Sequence, residues 1–119
     1  MKQQPFNVYA KKCPSRAAFE ALFSRWGILV LGYLGEKPTR FGVLRDAIDG
    51  SSEKMLAQTL KVLEEEGFVD RMDWNEKPPR IEYSLSDAGI KMSDGVQVFI
   101  SDFYEALNAR DRTGQVSSK

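Results

Sequence analysis

The chain contains no histidine and a single cysteine, and it has no glycine-rich phosphate loop. Most metal sites use histidine or several cysteines, and most nucleophilic sites need a base beside the nucleophile. One cysteine also excludes an intrachain disulfide. We therefore expect a protein that is not an enzyme and that holds neither a metal ion nor a cofactor.

Long apolar runs are absent as well. No stretch approaches the roughly 18 consecutive apolar residues of a membrane helix, and the N-terminal MKQQPFNVYAKKCPS has no apolar signal core, which predicts a soluble, cytoplasmic protein with no membrane partner. A chain of 119 residues, 42% of them apolar, can bury one modest core. We expect a single domain over residues 1–119, whose marginal stability would gain from a partner chain.

Net charge is zero, with 17 basic and 17 acidic residues, but the charges are unevenly distributed. Positions 1–45 carry eight basic residues and two acids, whereas positions 82–107 carry one basic residue and five acids. Such a chain would have a basic side, and it is the local field that meets a nucleic acid. A neutral total weakens nonspecific binding, which favours a protein that reads base sequence over an architectural one.

Two short helical patterns occupy the middle of the chain. The first covers residues 40–48 and is followed by the turn dipeptide Asp49-Gly50, in which Gly50 supplies the positive φ of a tight turn. Ser52 is the expected N-cap of the second, residues 52–66, which stops at Gly67. One face of this second helix is apolar and is predicted to pack on a core through Leu56, Leu60 and Leu63.

The opposite face of the second helix carries Lys54, Ala57, Gln58 and Lys61. These cationic, amide-bearing or small side chains can touch phosphates and base edges in a major groove. Lysine and glutamine also occur on any solvated helix face, so the interpretation depends on the neighbouring segments. Two residues at the starts of the helices join the expected DNA contacts, namely Arg40 and Ser52.

Two strands are predicted after this helix, at residues 68–72 and 80–85. In the second strand apolar side chains alternate with polar ones, the period of two of a half-buried ribbon. The connecting loop contains Pro78-Pro79 and cannot continue a ladder. Its tip carries Lys77 and Arg80, so the hairpin, residues 68–85, suits a wing along a DNA backbone or minor groove. The whole segment predicts a winged helix-turn-helix with residues 52–66 as the reading helix.

Further helices flank this unit. A first helix over residues 14–23 precedes an apolar run, residues 26–34, which we expect to be buried on nearly all sides. The last helix, residues 87–107, begins after Ser86 and repeats apolar residues at steps of four and three, at Met92, Val96, Phe99, Phe103 and Ala106. This seam could pack on the first helix of the same chain, or it could form a dimer interface together with the N-terminal segment. We prefer the second interpretation and predict a dimer interface. The first few residues and the tail, residues 108–119, are expected to be disordered.

The order of these features resembles the HxlR-type family of bacterial winged-helix transcription regulators, over residues 13–107. The resemblance rests on short motifs at fixed spacing: Cys13-Pro14, Trp26, Arg40-Phe41 with Leu44, the leucine run from Ser52 to Gly67, and Pro78-Pro79-Arg80 followed by Glu82-Tyr83-Ser84-Leu85-Ser86 and Gly89. It implies a mainly α fold with a small β-hairpin (α+β), with extra N-terminal and C-terminal dimerisation helices. A twofold dimer would set two reading helices about 34 Å apart, matching a near-palindromic operator.

Cys13 is the one candidate for reactivity. Pro14 favours the first position of a helix, so Cys13 would be the N-cap, where backbone N–H groups and the helix dipole stabilise a thiolate. Lys11, Lys12 and Arg16 add positive charge nearby. A lone cysteine is also compatible with an inert, small apolar residue. Some members of the family that this chain resembles use a cysteine here to sense oxidants or electrophiles, through an intersubunit disulfide, a mixed disulfide or an adduct.

The sequence therefore predicts a transcriptional regulator that binds double-stranded DNA as a homodimer and possesses, in Cys13, a candidate sensor of a small electrophile or oxidant. The alternative is a winged-helix module that docks on another protein without reading DNA.

Overall fold

The computed structural model describes residues 5–35 and 37–112. The elements along this part of the chain are α1 (Pro14–Leu22), α2 (Gly27–Tyr33), β1 (Thr39–Arg40), α3 (Phe41–Ala47), α4 (Glu53–Glu65), β2 (Val69–Asp73), β3 (Ile81–Leu85) and α5 (Asp87–Arg112). The predicted mainly α fold with a small antiparallel sheet, a winged helix-turn-helix with helices before and after it, is confirmed.

The core lies around α4. Leu56, Leu60 and Leu63 are fully buried on its inner face, as their spacing predicts, and each contributes about 1.5–3 kcal/mol by leaving water. Buried side chains from the other helices and from the sheet complete this cluster, among them Trp26, Val30, Leu31, Leu34, Leu44, Val69, Tyr83 and Leu85. The inner face of α4 is therefore fixed, and its outer face is left to solvent.

Local signals set the ends of α4. The Ser52 hydroxyl accepts a hydrogen bond from the Met55 N–H at 3.0 Å, as an N-cap should. Gly50 and Gly67 have φ angles of 95° and 89°, in the left-handed region that other residues rarely adopt. The predicted turn before α4 and the predicted stop after it are confirmed.

The sheet has three strands in the order β1-β3-β2, so β3 is central. Both neighbours pair with β3 in the antiparallel sense: on the β2 side Val69 lies opposite Leu85, and on the β1 side Arg40 lies opposite Glu82. The sequence predicts only the β2–β3 hairpin, because a two-residue strand is too short to show alternation. The added strand matters because it carries Arg40 to the base of the wing.

Two expectations about the flanking helices are wrong. Leu29 and Tyr33 of α2 are 43% and 50% exposed, so the apolar run is not buried on nearly all sides. A helix of seven residues at the edge of the core is covered on one face only. Helix α5 continues to Arg112, so residues 108–112 are helical, with Arg110 and Arg112 favourably placed near its C-terminus. The remaining tail positions, 113–119, and the first four residues lie outside the described residues.

Helix α5 divides after Gln97 into a first part, residues 87–97, and a longer second half, residues 98–112, and the two differ in their surroundings. Met92 and Val96 pack against the core, and the Gln97 side-chain amide donates a hydrogen bond to the Gly32 carbonyl oxygen at 2.6 Å. Phe99 and Phe103, farther along the same seam, are 57% and 49% exposed. Within the described part of the chain, no helix has both the length and the apolar character needed to cross a membrane.

Candidate nucleic-acid interface

The outer face of α4 is polar and exposed. Lys54, Ala57, Gln58 and Lys61 are all solvent-exposed, on the side opposite the buried leucines. From Lys54 to Lys61 the helix rises about 10 Å, a length that a major groove accommodates. The structure therefore brings these four predicted positions to one accessible surface.

An ion-pair network that the sequence does not predict joins α3 to α4. Arg45 donates to Glu53 at 2.7 Å and to Asp46 at 3.1 Å. The hydrogen bond to Asp46, and after it the bond to Glu53, raises the pKa of the Arg45 guanidinium. Arg45 thus links the end of α3 to the first turn of α4. No sequence periodicity reveals this pairing, because its partners are separated by the turn.

The tip of the wing is a closed loop. The backbone N–H of Trp74 donates to the Arg80 carbonyl oxygen at 3.0 Å, and the backbone N–H of Asn75 donates to the Asp73 carboxylate at 2.9 Å. Lys77 lies exposed within this loop. The backbone of the tip is therefore held by its own hydrogen bonds, beyond the last pair of the β2–β3 ladder.

Arg80 is stacked on an aromatic ring. Its guanidinium carbon lies 4.1 Å from the centroid of the Trp74 ring, and its Nη2 lies 3.4 Å from a Glu76 carboxylate oxygen. The Trp74 indole N–H in turn donates to Glu82 at 2.9 Å. Trp74, Glu76 and Glu82 are not among the DNA contacts that the sequence predicts, although Glu82 belongs to the family motif. The alternation in residues 80–85 places Glu82 on the same polar face as Arg80, a signal that could have identified Glu82.

Arg40 completes this region. Its Nε lies 4.0 Å from the second carboxylate oxygen of Glu82. A groove of about 440 Å³ separates the start of α3 from the wing, and its lining includes Arg40, Arg45, Asp46 and Arg80. Two predicted DNA contacts from distant parts of the sequence, Arg40 and Arg80, therefore share one groove.

Cys13 is half-buried at the N-cap of α1, as predicted. The Asn7 N–H lies 3.4 Å from its sulfur and the Ser15 hydroxyl 3.2 Å away. These hydrogen bonds, together with one from the Ser15 backbone N–H, lower the pKa of the Cys13 thiol, and the bond from Asn7 has the largest effect on it. The backbone N–H groups at the start of α1, which the sequence predicts to stabilise a thiolate, contribute through Ser15, whereas the three nearby cations are not among the causes. Arg16, for instance, pairs with Glu20 at 2.7 Å.

The predicted dimer-interface residues divide into two groups. Met92 and Val96 face their own core, and with Leu22, Ile28 and Phe99 they line an apolar groove of about 310 Å³ between α5 and the first two helices. Phe99 and Phe103 are exposed, and so are Val98 and Tyr104, which the seam does not include.

Comparison with known proteins identifies the family. The model of the HxlR-like helix-turn-helix family matches residues 21–111. The uncharacterized HTH-type transcriptional regulator YtfH of Escherichia coli (strain K12) is 44% identical over 99 residues, which are 83% of this chain and 78% of YtfH. The HTH-type transcriptional regulator YodB of Bacillus subtilis (strain 168) is 37% identical over 78 residues, 65% of this chain and 70% of YodB.

Solved structures agree with this assignment. The transcriptional regulator ytfH from Salmonella typhimurium superposes with a TM-score of 0.79 at 42% identity, covering 92% of this chain and 96% of that one. Diamide-treated YodB from B. subtilis superposes with a TM-score of 0.64 at 32% identity, covering 77% of this chain and 92% of that one. These relatives are transcriptional regulators and not enzymes. The chain is therefore a transcriptional regulator that belongs to the family of HxlR-like helix-turn-helix proteins.

Proposed function

We propose that this regulator binds double-stranded DNA in a sequence-specific way, as a homodimer on a near-palindromic operator. The observation that carries the proposal is the outer face of α4, where Lys54, Gln58 and Lys61 are exposed opposite three fully buried leucines. A helix held by its inner face can enter a major groove with its outer face. The proposal also places the protein in the cytoplasm, where bacterial chromosomal DNA lies.

The contacts divide by their position. Lys54 and Gln58 lie on the first turns of α4, where base edges are within reach, and Lys61 lies on the same face farther along. Ser52 caps the helix whose N-terminal N–H groups would point towards a phosphate. Lys77 and Arg80 on the wing, with Arg40 beside it, would meet phosphates or a minor groove.

The homodimer is supported by the exposed end of α5. This helix has 26 residues, about 39 Å, and large apolar side chains remain uncovered along its second half. A second copy would cover Phe99 and Phe103, together with the neighbouring groove that Met92 and Val96 line. Twofold symmetry would then set two α4 helices one turn of B-DNA apart.

Cys13 is proposed as the residue through which an oxidant or a small electrophile changes DNA binding. Its lowered pKa raises the share of reactive thiolate at neutral pH. The relative YodB has solved structures in a reduced form and after diamide treatment. With diamide, the Cys13 thiols of two subunits would lose two electrons and two protons to the oxidant and form a disulfide. With a quinone, the sulfur would bond to a ring carbon and a proton would pass to the ring oxygen.

The decisive experiment is a selection of genomic fragments by the wild-type protein, followed by gel retardation with the recovered duplex. A variant with Lys54, Gln58 and Lys61 all changed to Ala should lose retention of that duplex. A control with Glu64 and Glu65 changed to Ala alters exposed charges on the same helix and should keep it. Equal retention by the two variants would contradict α4 as the reading helix.

The second candidate is a protein-docking module, which the exposed apolar end of α5 favours. A docking module would recover no defined fragments and would elute as a monomer in size exclusion. Recovery of a palindromic sequence by a dimer would exclude it as the sole function.

A further inference from the structure

Glu82 lies at a junction of the wing. It is on the central strand β3, opposite Arg40 of β1 and Met72 of β2, and its side chain is only 15% exposed. One carboxylate oxygen accepts the Trp74 indole N–H at 2.9 Å, and the other lies 4.0 Å from Arg40. Glu82 therefore contacts Trp74, on which Arg80 stacks, and it also contacts Arg40.

We propose that Glu82 and Trp74 are positioning residues that hold Arg80 and Arg40 in the orientation for contacting DNA. This inference rests on the proposed function. The Trp74 ring supports the planar guanidinium of Arg80, and the bond to Glu82 fixes the ring. An arginine that is stacked before DNA arrives has already lost much of its rotamer freedom, so less is lost on binding.

The contacts of Arg80 are of two kinds. Its approach to Glu76 is long, 3.4 Å, and the Glu76 side chain is 51% exposed, so a phosphate oxygen can replace that carboxylate. Its Nε is buried and has no hydrogen-bond partner among the described residues. The stack on Trp74 is therefore the contact that defines where the guanidinium plane lies when Glu76 is displaced.

Charge alone predicts the opposite effect for Glu82. Removing an acid beside a DNA-binding surface lowers the repulsion of phosphates and should strengthen binding. If Glu82 positions the two arginines, its loss should weaken binding instead. Glu76 is the matched control because it is an acid on the same wing that contacts Arg80 but does not support Trp74.

The test compares Glu82→Ala with Glu76→Ala on a duplex that the wild-type protein selects from a random-sequence pool. Glu82→Ala should weaken binding about fivefold or more, as one charged hydrogen bond to phosphate is weakened, and should reduce the salt slope by about 1. Glu76→Ala should leave affinity unchanged or raise it. Glu82→Gln should restore most of the affinity, since its amide oxygen can still accept the indole N–H.

Two further measurements separate positioning from a general loss of structure. In the Trp74→Phe background, which keeps a ring but loses the N–H, Glu82→Ala should have less effect than in the wild type. Without DNA, the indole N–H resonance of Trp74, assigned by its absence in Trp74→Phe, should shift in Glu82→Ala and stay in place in Glu76→Ala.

The outcomes distinguish this inference from the proposed function. If the wild-type protein selects no duplex, the proposed function is wrong and the inference is wrong with it. If the wild-type protein binds and the two alanine variants bind equally well, the inference alone is wrong. The same holds if the Trp74 resonance does not respond to Glu82→Ala.

Discussion

The wing and the second half of α5 are both exposed, yet they differ in how their side chains are held. In the wing, Trp74 holds two neighbours: Arg80 stacks on its ring, and Glu82 accepts a hydrogen bond from its indole N–H. In α5, about half of the surface of Phe99 and of Phe103 is exposed. One surface is polar and ordered by its own contacts, and the other is apolar and uncovered.

This difference indicates two kinds of partner. A polar surface that is already ordered loses little freedom on binding and suits a rigid, charged molecule such as duplex DNA. An uncovered apolar stripe gains free energy when water is removed from it, and so it suits another apolar protein surface. We assign the wing to DNA and the second half of α5 to a second copy of the chain, as proposals that the following experiments can contradict.

The largest effect is expected from Phe99→Asp combined with Phe103→Asp. Each buried phenylalanine contributes about 1.5–3 kcal/mol, so their loss in both subunits should give monomers in size exclusion. Operator affinity should fall about 100-fold or more because two linked half-site contacts become single ones. The control changes Ser101 and Asn108 to Asp, which are exposed positions on the same helix, and should remain dimeric. A dimeric double-Phe variant would show that α5 is not the interface.

A smaller and more local effect is expected from Gln58→Ala on α4. Loss of a side chain that reads a base edge should cost about 1–3 kcal/mol at one base pair and relax preference there. Competition binding against duplexes substituted at each position measures this directly. An equal loss of affinity for all duplexes would show that Gln58 contacts the DNA backbone and not a base.

Lys77→Ala should sharpen the contrast between the two surfaces. If this wing lysine contacts a phosphate, its loss should weaken binding to all DNA sequences alike and reduce the salt slope of DNA binding by about 1. The dissociation constant of the dimer should not change, because the wing is not part of the proposed interface. Sedimentation at several salt concentrations tests the second half of this prediction, and a shift in dimer affinity would contradict it.

The smallest change concerns the pH dependence of Cys13. Hydrogen bonds from Asn7 and Ser15 lower the pKa of its thiol, so the alkylation rate should reach its plateau at lower pH than that of an ordinary thiol, pKa about 8.5. Ser15→Ala removes one of these bonds and should raise the midpoint. Diamide should alter operator affinity in the wild type and not in Cys13→Ser. An ordinary midpoint with unchanged affinity would leave Cys13 structural.

The sequence by itself determined the local elements. The leucine spacing of α4, its N-cap at Ser52 and the glycines on either side act within a few residues of chain, so they can be recognised without knowing the fold. The alternation in β3 likewise placed Tyr83 and Leu85 on the buried face. The family motifs then related these elements to a transcriptional regulator.

Only the tertiary structure decided which distant side chains meet. Strand β1 exists because β3 offers it a free edge, and this pairing brings Arg40 to Glu82. The Arg45–Glu53 pair and the stack of Arg80 on Trp74 depend on how a turn or loop returns, which has no periodic signal. The exposure of Leu29 and Tyr33 depends equally on how the helices pack. Local patterns record short-range backbone preferences, whereas ion pairs, stacks and exposure follow from where the chain returns in space.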